Sequence, residues 1–180
     1  RCARKRDEKN RPSSIVHRPS EEEVSKIIAV TGKGGTGKST VASLIIRTLI
    51  ADKSNSVLAV DADPNSTLGE MLGLKVEDTV SSICEEMLDR KEDIPAGMTK
   101  EQYLKYRIEE TLTEKNNLTL LTIGRPEGPG CYCYANNLLR GIVKDLTGGY
   151  KFTVIDNEAG MEHISRKAAM SIDVLFIVSD

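Results

Sequence analysis

The sequence predicts an α/β fold in which a mostly parallel β-sheet is flanked by helices. Three observations indicate this fold. Short, continuous apolar runs recur along the chain, as in strands that are buried on both faces of a parallel sheet. Segments with apolar residues at helical spacing alternate with these runs, which is the order of an α/β sheet with right-handed crossovers. A glycine-rich segment and two Asp-containing segments each follow an apolar run directly.

The predicted elements cover residues 24–180. Predicted strands span residues 26–30, 56–60, 118–123, 151–155 and 174–178, and predicted helices span residues 38–52, 77–90, 99–114, 134–146 and 161–170. The polar clusters at residues 31–40, 61–65 and 156–160 each follow a strand. We expect them to meet at the carboxyl edge of the sheet, where ligands bind in such folds. Because the chain stops just past a strand, we also expect the domain to be incomplete at its C-terminal end, with the last strands missing.

Composition and charge exclude several classes of function. The chain has 180 residues and a net charge of −2, so it has no field that would attract nucleic acid or an anionic membrane. No apolar stretch approaches the ~20 residues that span a bilayer. Residues 1–23 lack the apolar core of a secretory signal, and we predict a basic, disordered tail there, with a nucleic-acid-binding arm as the alternative. Four cysteines without an export signal favour a reducing compartment, so we expect a cytoplasmic protein.

The glycine-rich segment fits a phosphate-binding loop. Residues 32–39 read GKGGTGKS and match G-x-x-x-x-G-K-[ST] between a predicted strand and helix. The glycines let backbone N–H groups converge on phosphate oxygens, and the helix directs the positive end of its dipole at the same anion. We predict that Lys38 contacts the β- and γ-phosphates and that the Ser39 hydroxyl ligates Mg²⁺; the alternative is a flexible loop. The predicted nucleotide-binding residues are Gly32, Lys33, Gly34, Gly35, Thr36, Gly37, Lys38, Ser39 and Thr40.

Lys33 is a second lysine within this loop. With it, residues 33–40 (KGGTGKST) resemble the deviant Walker A loop of the MinD/ParA/nitrogenase-reductase group, the SIMIBI-type P-loop NTPases. The resemblance implies an ATPase that forms a homodimer on ATP binding and in which Lys33 contacts the partner subunit's phosphates. A cation there would offset the charge that develops in phosphoryl transfer. A solvated surface lysine is the alternative for Lys33.

The segment after the second predicted strand resembles switch I of the same group. Residues 61–65 read DADPN. The resemblance implies that Asp61 belongs to the nucleotide site and that Asp63 positions the attacking water. A turn-forming role is the alternative for Asp63, since Asp is common in turns. The implied catalytic residues are Lys33, Lys38 and Asp63.

The segment around the fourth predicted strand resembles the Walker B strand and switch II. Residues 153–160 read TVIDNEAG. The resemblance implies that Asp156 holds Mg²⁺ through water and that Gly160 senses the γ-phosphate. Mg²⁺ suits such a site because it keeps waters and takes only one or two carboxylates plus phosphate. A strand-end cap is the alternative for Asp156.

Cys131 and Cys133 stand two positions apart in a predicted loop. A disulfide between them would close a strained ring, and two thiolates cannot complete the four-ligand shell that Zn²⁺ prefers. A two-fold dimer would bring four sulfurs together, a set that Zn²⁺, Ni²⁺ or an iron–sulfur cluster accepts. The alternative is a pair of small loop residues with no metal.

The run GPGCYC at residues 128–133, together with DNEAGMEH at residues 156–163, resembles the CooC/AcsF-type nickel-insertion ATPases. This resemblance implies a metallochaperone that hydrolyses ATP and inserts nickel into carbon monoxide dehydrogenase or acetyl-CoA synthase, its client enzyme. It also implies that Cys131 and Cys133 hold Ni²⁺ or Zn²⁺ at the dimer interface. Two other functions remain open: a ParA/MinD-type positioning ATPase, and an iron–sulfur reductase of the nitrogenase iron-protein type. In the reductase Cys84 would join Cys131 as a cluster ligand, although its position on a predicted helix favours packing.

Overall fold

Six strands form one sheet in the computed structural model, which describes residues 25–89, 94–95, 97–125, 141–157 and 172–179. Neighbouring strands are parallel, except that β3 and β4 are antiparallel. The predicted α/β fold with a mostly parallel sheet is therefore confirmed. In the sheet order β3-β4-β2-β5-β1-β6, the strands are β1 (Lys26–Gly32), β2 (Val57–Ala62), β3 (Thr113–Lys115), β4 (Leu118–Thr122), β5 (Phe152–Asn157) and β6 (Val174–Val178).

Helices cover both faces of this sheet. Two apolar cores result: Ile46 and Leu68 pack with Val154 on one face, and α3, α4 and residues 141–147 pack around Leu58 and Ile155 on the other. Because β2 and β4 lie between these layers, they are buried along their whole length, as their continuous apolar sequences predict. The helices are α1 (Lys38–Ala51), α2 (Leu68–Leu72), α3 (Val80–Asp89) and α4 (Lys100–Glu110), and residues 141–147 are also helical.

The segment around α4 differs from its prediction as one long helix. Helix α4 starts with a capping box, in which Thr99 and Gln102 each accept the other's backbone N–H, and it ends at Glu110. The chain then forms β3, which pairs with β4. Asn116 between the two strands has a φ of 55°, a left-handed conformation that Asn tolerates better than most residues. The helix predicted over residues 99–114 is therefore wrong in its last turn, where a tight hairpin replaces it.

Some predictions concern parts of the chain that the structure does not describe. The tail at residues 1–23 and the helix at residues 161–170 lie outside the described residues. The division into that tail and a domain over residues 24–180 therefore stays a prediction. Among the helices that are described, none has the length and apolar character needed to cross a bilayer.

Gly32 ends β1 where a side chain has no room. A Cβ at this position would lie 2.1 Å from the carbonyl oxygen of Val178, its neighbour on β6, and the Gly32 φ is 155°. We expect Gly32→Ala to lower the free energy of unfolding by roughly 3 kcal/mol, because a strand backbone must move. Gly34→Ala is the control: its Cβ would meet nothing within 4 Å, so a change under about 0.5 kcal/mol is expected. Denaturant unfolding that found the two variants equally stable would contradict this close approach.

Candidate nucleotide site

The predicted phosphate-binding loop connects β1 to α1 at the carboxyl edge of the sheet. Gly35 and Gly37 have φ values of 83° and 85°, which glycine adopts without strain, and they let the chain reverse direction here. Gly37 is the N-cap of α1, and no side chain of the described residues caps this helix end. The first N–H groups of α1 can therefore bind an anion, and the helix dipole favours one at this end.

Lys38 begins α1 with its side chain largely buried, at 6% exposed. Its Nζ donates a hydrogen bond to the carbonyl oxygen of Lys33 at 3.2 Å, and the Thr36 hydroxyl donates to the same oxygen at 2.8 Å. This carbonyl thus holds the ammonium within the loop. Lys33 itself is exposed, so its side chain can reach a second molecule.

Asp61 and Asp156 stand side by side on neighbouring strands. They are register partners of β2 and β5 near the carboxyl edge, and both are fully buried at 0% exposed. Val154 packs in the core that contains Ile46 of α1, and side chains two positions apart point to the same face of a strand. Asp156 and its register partner Asp61 therefore lie on the face that α1 covers, close to the loop.

The two oxygens of Asp156 have no hydrogen-bond partner in the part of the chain that the structure describes. Burial raises the pKa of Asp156 above its ordinary value, and the negative charge of Asp63 adds to this rise. The Ser39 hydroxyl and the Lys38 ammonium oppose it. Ser39 acts on the carboxylate from nearby without the geometry of a well-formed hydrogen bond. Asp156 thus lies within electrostatic reach of three other predicted site residues.

Buried carboxylate oxygens without partners fit a magnesium ion. Removing a charged carboxylate from water is unfavourable unless a cation or hydrogen-bond donors compensate for it. Mg²⁺ uses one or two carboxylates and completes its shell with water and phosphate oxygens. Asp156 and the Ser39 hydroxyl would hold such an ion, which supplies positive charge beside the phosphates.

Asp61 differs from Asp156 because both of its oxygens are occupied. Its Oδ1 accepts the N–H of Asp63 at 3.2 Å, and its Oδ2 accepts the N–H of Leu68, the first residue of α2, at 3.0 Å. Burial raises the pKa of Asp61 to about 6; these two N–H donors oppose the rise, and the charges of Asp156 and Asp63 add to it. The sequence does not predict α2. A helix of five residues carries too little periodicity to be recognised from sequence.

Asp63 forms a local turn at the mouth of the site. Its Oδ1 accepts hydrogen bonds from the backbone N–H and the side-chain amide of Asn65, at 2.9 Å and 2.8 Å. The N–H of Ser66 donates to the Asp63 carbonyl at 2.9 Å. Asp63 therefore stabilises a turn, and the role of positioning the attacking water stays a prediction. The same turn keeps its carboxylate close enough to Asp156 to act on the pKa of that residue.

Asn157 is a buried site residue to which the sequence assigned no role of its own. Its side-chain amide donates to the carbonyl oxygen of Val30 at 3.3 Å and so ties the end of β5 to β1 just before the loop. Its Oδ1 has no partner among the described residues. A polar amide directly after a strand-end Asp was the only signal of this tie in the sequence.

The titration of Asp61 predicts how stability depends on pH. Folding raises the pKa of Asp61 from 3.8 to about 6, so the folded state binds more protons between these values. Its contribution to the free energy of unfolding is therefore full below about pH 4 and falls by about 2 to 3 kcal/mol as the pH rises past about 6. We expect the stability difference between wild type and Asp61→Asn to shift by this amount. Denaturant unfolding without nucleotide or metal measures it, and a difference independent of pH would contradict this titration.

Some of the residues predicted for the nucleotide and metal sites lie together in the structure, and others lie outside the described residues. Cys84 is buried in the core formed with α3 and α4, which agrees with a packing role. Within the described ranges, no group of three or more His, Cys, Asp and Glu side chains is placed to hold a metal ion. Gly160, Cys131 and Cys133 lie outside these ranges. The residues gathered at the carboxyl edge are Lys38, Ser39, Asp61, Asp63 and Asp156.

A glycine loop between a strand and a helix, with buried Asp residues at the ends of neighbouring parallel strands, defines a P-loop nucleotide-binding fold. Comparison with known families agrees with this class. Residues 27–177 match the CobQ/CobB/MinD/ParA nucleotide binding domain, and the chain belongs to this family.

Relatives of this chain include an uncharacterized ATP-binding protein and an enzyme accessory protein. It is 51% identical to an uncharacterized ATP-binding protein of Methanocaldococcus jannaschii, over 86% of this chain and 61% of that protein. It is 31% identical to the carbon monoxide dehydrogenase accessory protein CooC of Rhodospirillum rubrum, over 84% of this chain and 61% of that protein. The chain thus spans about three fifths of these relatives' length.

Solved structures show the same fold. The cell division ATPase MinD of Pyrococcus furiosus superposes with a TM-score of 0.57 at 25% identity, covering 87% of this chain and 60% of that chain. A ParA family ATPase from Chlorobium tepidum superposes with a TM-score of 0.58 at 18% identity, covering 86% and 60%. The second likeness concerns the fold alone.

Proposed function

We propose that this chain is the nucleotide-binding part of an ATP-hydrolysing metallochaperone that inserts nickel into carbon monoxide dehydrogenase or acetyl-CoA synthase. One observation carries the ATPase part. The buried Asp156, whose two oxygens lack partners among the described residues, lies within electrostatic reach of Lys38 and Asp63 and close to Ser39. The predicted phosphate-binding loop, a candidate magnesium ligand and a candidate water-positioning carboxylate therefore lie at one edge of the sheet.

Each residue has a separate role in this proposal. Lys38 binds the β- and γ-phosphates, and Ser39 with Asp156 holds Mg²⁺. Asp63 orients the attacking water, and the N–H of Gly160 senses the γ-phosphate. The protein works as a homodimer that forms on ATP binding, and the exposed Lys33 contacts the phosphates of the partner subunit.

The nickel part of the proposal is supported by sequence. The relative CooC is a carbon monoxide dehydrogenase accessory protein by name, and Cys131 and Cys133 supply two thiolates per chain. Four thiolates from a symmetric dimer suit Ni²⁺ or Zn²⁺. An iron–sulfur reductase that uses Cys84 is disfavoured, because Cys84 is buried on the core side of α3.

A positioning ATPase of the ParA/MinD type is the second candidate. The MinD of Pyrococcus furiosus, a cell division ATPase, has this fold at 25% identity. Such an ATPase has no need of the pair Cys131 and Cys133. The two candidates therefore differ in metal binding and agree in ATP hydrolysis.

Metal analysis of anaerobically purified protein, with and without ATP, separates these functions. Nickel or zinc at about one ion per two chains supports the metallochaperone. Acid-labile sulfide with iron supports the reductase instead. ATP-dependent dimers that bind no metal support the positioning ATPase.

Lys33→Ala should bind ATP and remain a monomer, because the contact that it loses lies in the partner subunit. The matched control is Lys53→Ala, which removes another exposed lysine just beyond the end of α1. Light scattering after size exclusion with Mg²⁺ and ATP measures the state of both variants, in an Asp63→Ala background that slows turnover. A Lys33→Ala variant that dimerises like the control would show that this lysine is only a solvated surface residue.

A further inference from the structure

We infer that Asp61 is a positioning residue for hydrolysis, which fixes the loop of residues 63–67 and so sets where Asp63 lies, without contacting the nucleotide. This inference rests on the proposed ATP hydrolysis and gives Asp61 an indirect role within it. The sequence predicts only that Asp61 belongs to the nucleotide site.

The carboxylate of Asp61 holds both ends of this loop. Oδ1 accepts the N–H of Asp63 near the start of the loop, and Oδ2 accepts the N–H of Leu68 just after its end. Leu68 is fully buried in the core under α1, so this end is also fixed by packing. The Asp61 side chain therefore links both ends of the loop to β2.

Asp61 is itself rigidly placed in the sheet. It is 0% exposed, it pairs with Asp156 on β5 and Thr122 on β4, and its carbonyl oxygen accepts the N–H of Ile123 at 2.9 Å. Interactions on rigid strands position a catalytic group more accurately than a loop can by itself. The position of Asp63 relative to the phosphates thus derives from the sheet through Asp61.

The chemistry of the two hydrogen bonds explains why a charged residue is buried here. Two N–H donors require two acceptor oxygens, and a carboxylate supplies both. An Asn of the same shape supplies one acceptor and would place an NH₂ group against the second N–H, leaving a buried donor without a partner. Asp156 does not share this arrangement, because its oxygens accept no such bonds from the described residues.

Steady-state kinetics of Asp61→Asn tests the inference. We expect kcat to fall by about 10- to 100-fold, because a small displacement of a catalytic group has this effect, while ATP affinity stays within about 3-fold. The control is Thr122→Val, an isosteric change at the register partner of Asp61, whose buried hydroxyl has no partner among the described residues. Because the change removes no hydrogen bond within the described residues, kcat and KM should stay within about 2-fold of wild type. Loss of ATP affinity in Asp61→Asn as severe as in Lys38→Ala, or an unchanged kcat, would overturn the inference.

Amide hydrogen exchange tests the loop independently of turnover. The N–H groups of Asp63 and Leu68 should be protected in wild type and in Thr122→Val, and should exchange at least about 10-fold faster in Asp61→Asn. Asp61→Ser, which also lacks the second acceptor, gives the same readout should the Asn variant fold poorly. If the wild type showed no ATP turnover, the proposed ATPase function would be wrong, and the exchange experiment would still test whether Asp61 fixes the loop. If the two N–H groups exchanged equally fast in all variants, Asp61 would not fix the loop and the inference would be wrong.

Discussion

Lys38→Ala is expected to weaken ATP binding by about 100-fold or more, whereas Asp63→Ala is expected to bind ATP like wild type. The Lys38 ammonium is buried in the loop and is held by a neutral carbonyl oxygen at 3.2 Å. A phosphate oxygen is a stronger partner for it, since charge-assisted bonds exceed neutral ones. The loss corresponds to about 3 kcal/mol of binding free energy.

Asp63→Ala should instead slow the chemical step by about 100-fold or more. Asp63 lies in the loop after β2, two residues beyond Asp61, and its carboxylate forms a turn with Asn65. This loop is separate from the glycine loop that contains Lys38. Titration calorimetry measures ATP affinity, and single-turnover hydrolysis measures the chemical step. The control is Asn65→Ala, which loosens the turn and keeps the carboxylate, so it should retain more activity than Asp63→Ala. If Asp63→Ala abolished ATP binding as fully as Lys38→Ala, its assignment to switch I would be wrong.

Cys131→Ala is expected to abolish metal binding completely, because the two-fold symmetry of the dimer removes two of four sulfurs at once. One ion per two chains should become none. Coordinating thiols must lose their protons, so wild-type affinity should also fall as the pH is lowered, with protons released on loading. Elemental analysis and equilibrium dialysis measure both effects.

Cys84→Ala is the matched control for this experiment. Cys84 lies in the core, so its loss should cost some stability and leave the metal stoichiometry unchanged. Metal bound to Cys131→Ala at the wild-type ratio would contradict the four-thiolate site. Metal lost equally from Cys84→Ala would instead favour a cluster that uses this cysteine.

The strands and the phosphate-binding loop were predictable because local sequence determines them. β2 and β4 are buried on both faces, and such strands require continuous apolar runs. The glycine loop needs its residue types at fixed spacing whatever the rest of the fold does. By contrast, α2 has five residues and β3 has three, and segments this short carry too little periodicity to be recognised.

The relation between Asp61 and Asp156 could not be predicted in the same way. It depends on β2 pairing with β5, two strands that are far apart in the chain. The sequence places both residues at strand ends and does not specify which strands are neighbours. Asp61 has both oxygens occupied by hydrogen bonds, whereas the oxygens of Asp156 have no partner among the described residues. This difference depends on the tertiary structure and cannot be seen in the sequence.

The hydrogen bonds to the Lys33 carbonyl mean that the loop is organised as part of folding. Lys38 and the Thr36 hydroxyl converge on this oxygen, so the conformational entropy of the loop is already lost before a phosphate arrives. When ATP binds, a phosphate oxygen replaces the Lys33 carbonyl as the acceptor of the Lys38 ammonium, and no flexible segment has to be ordered. Interactions that stabilise the folded loop therefore also strengthen ATP binding.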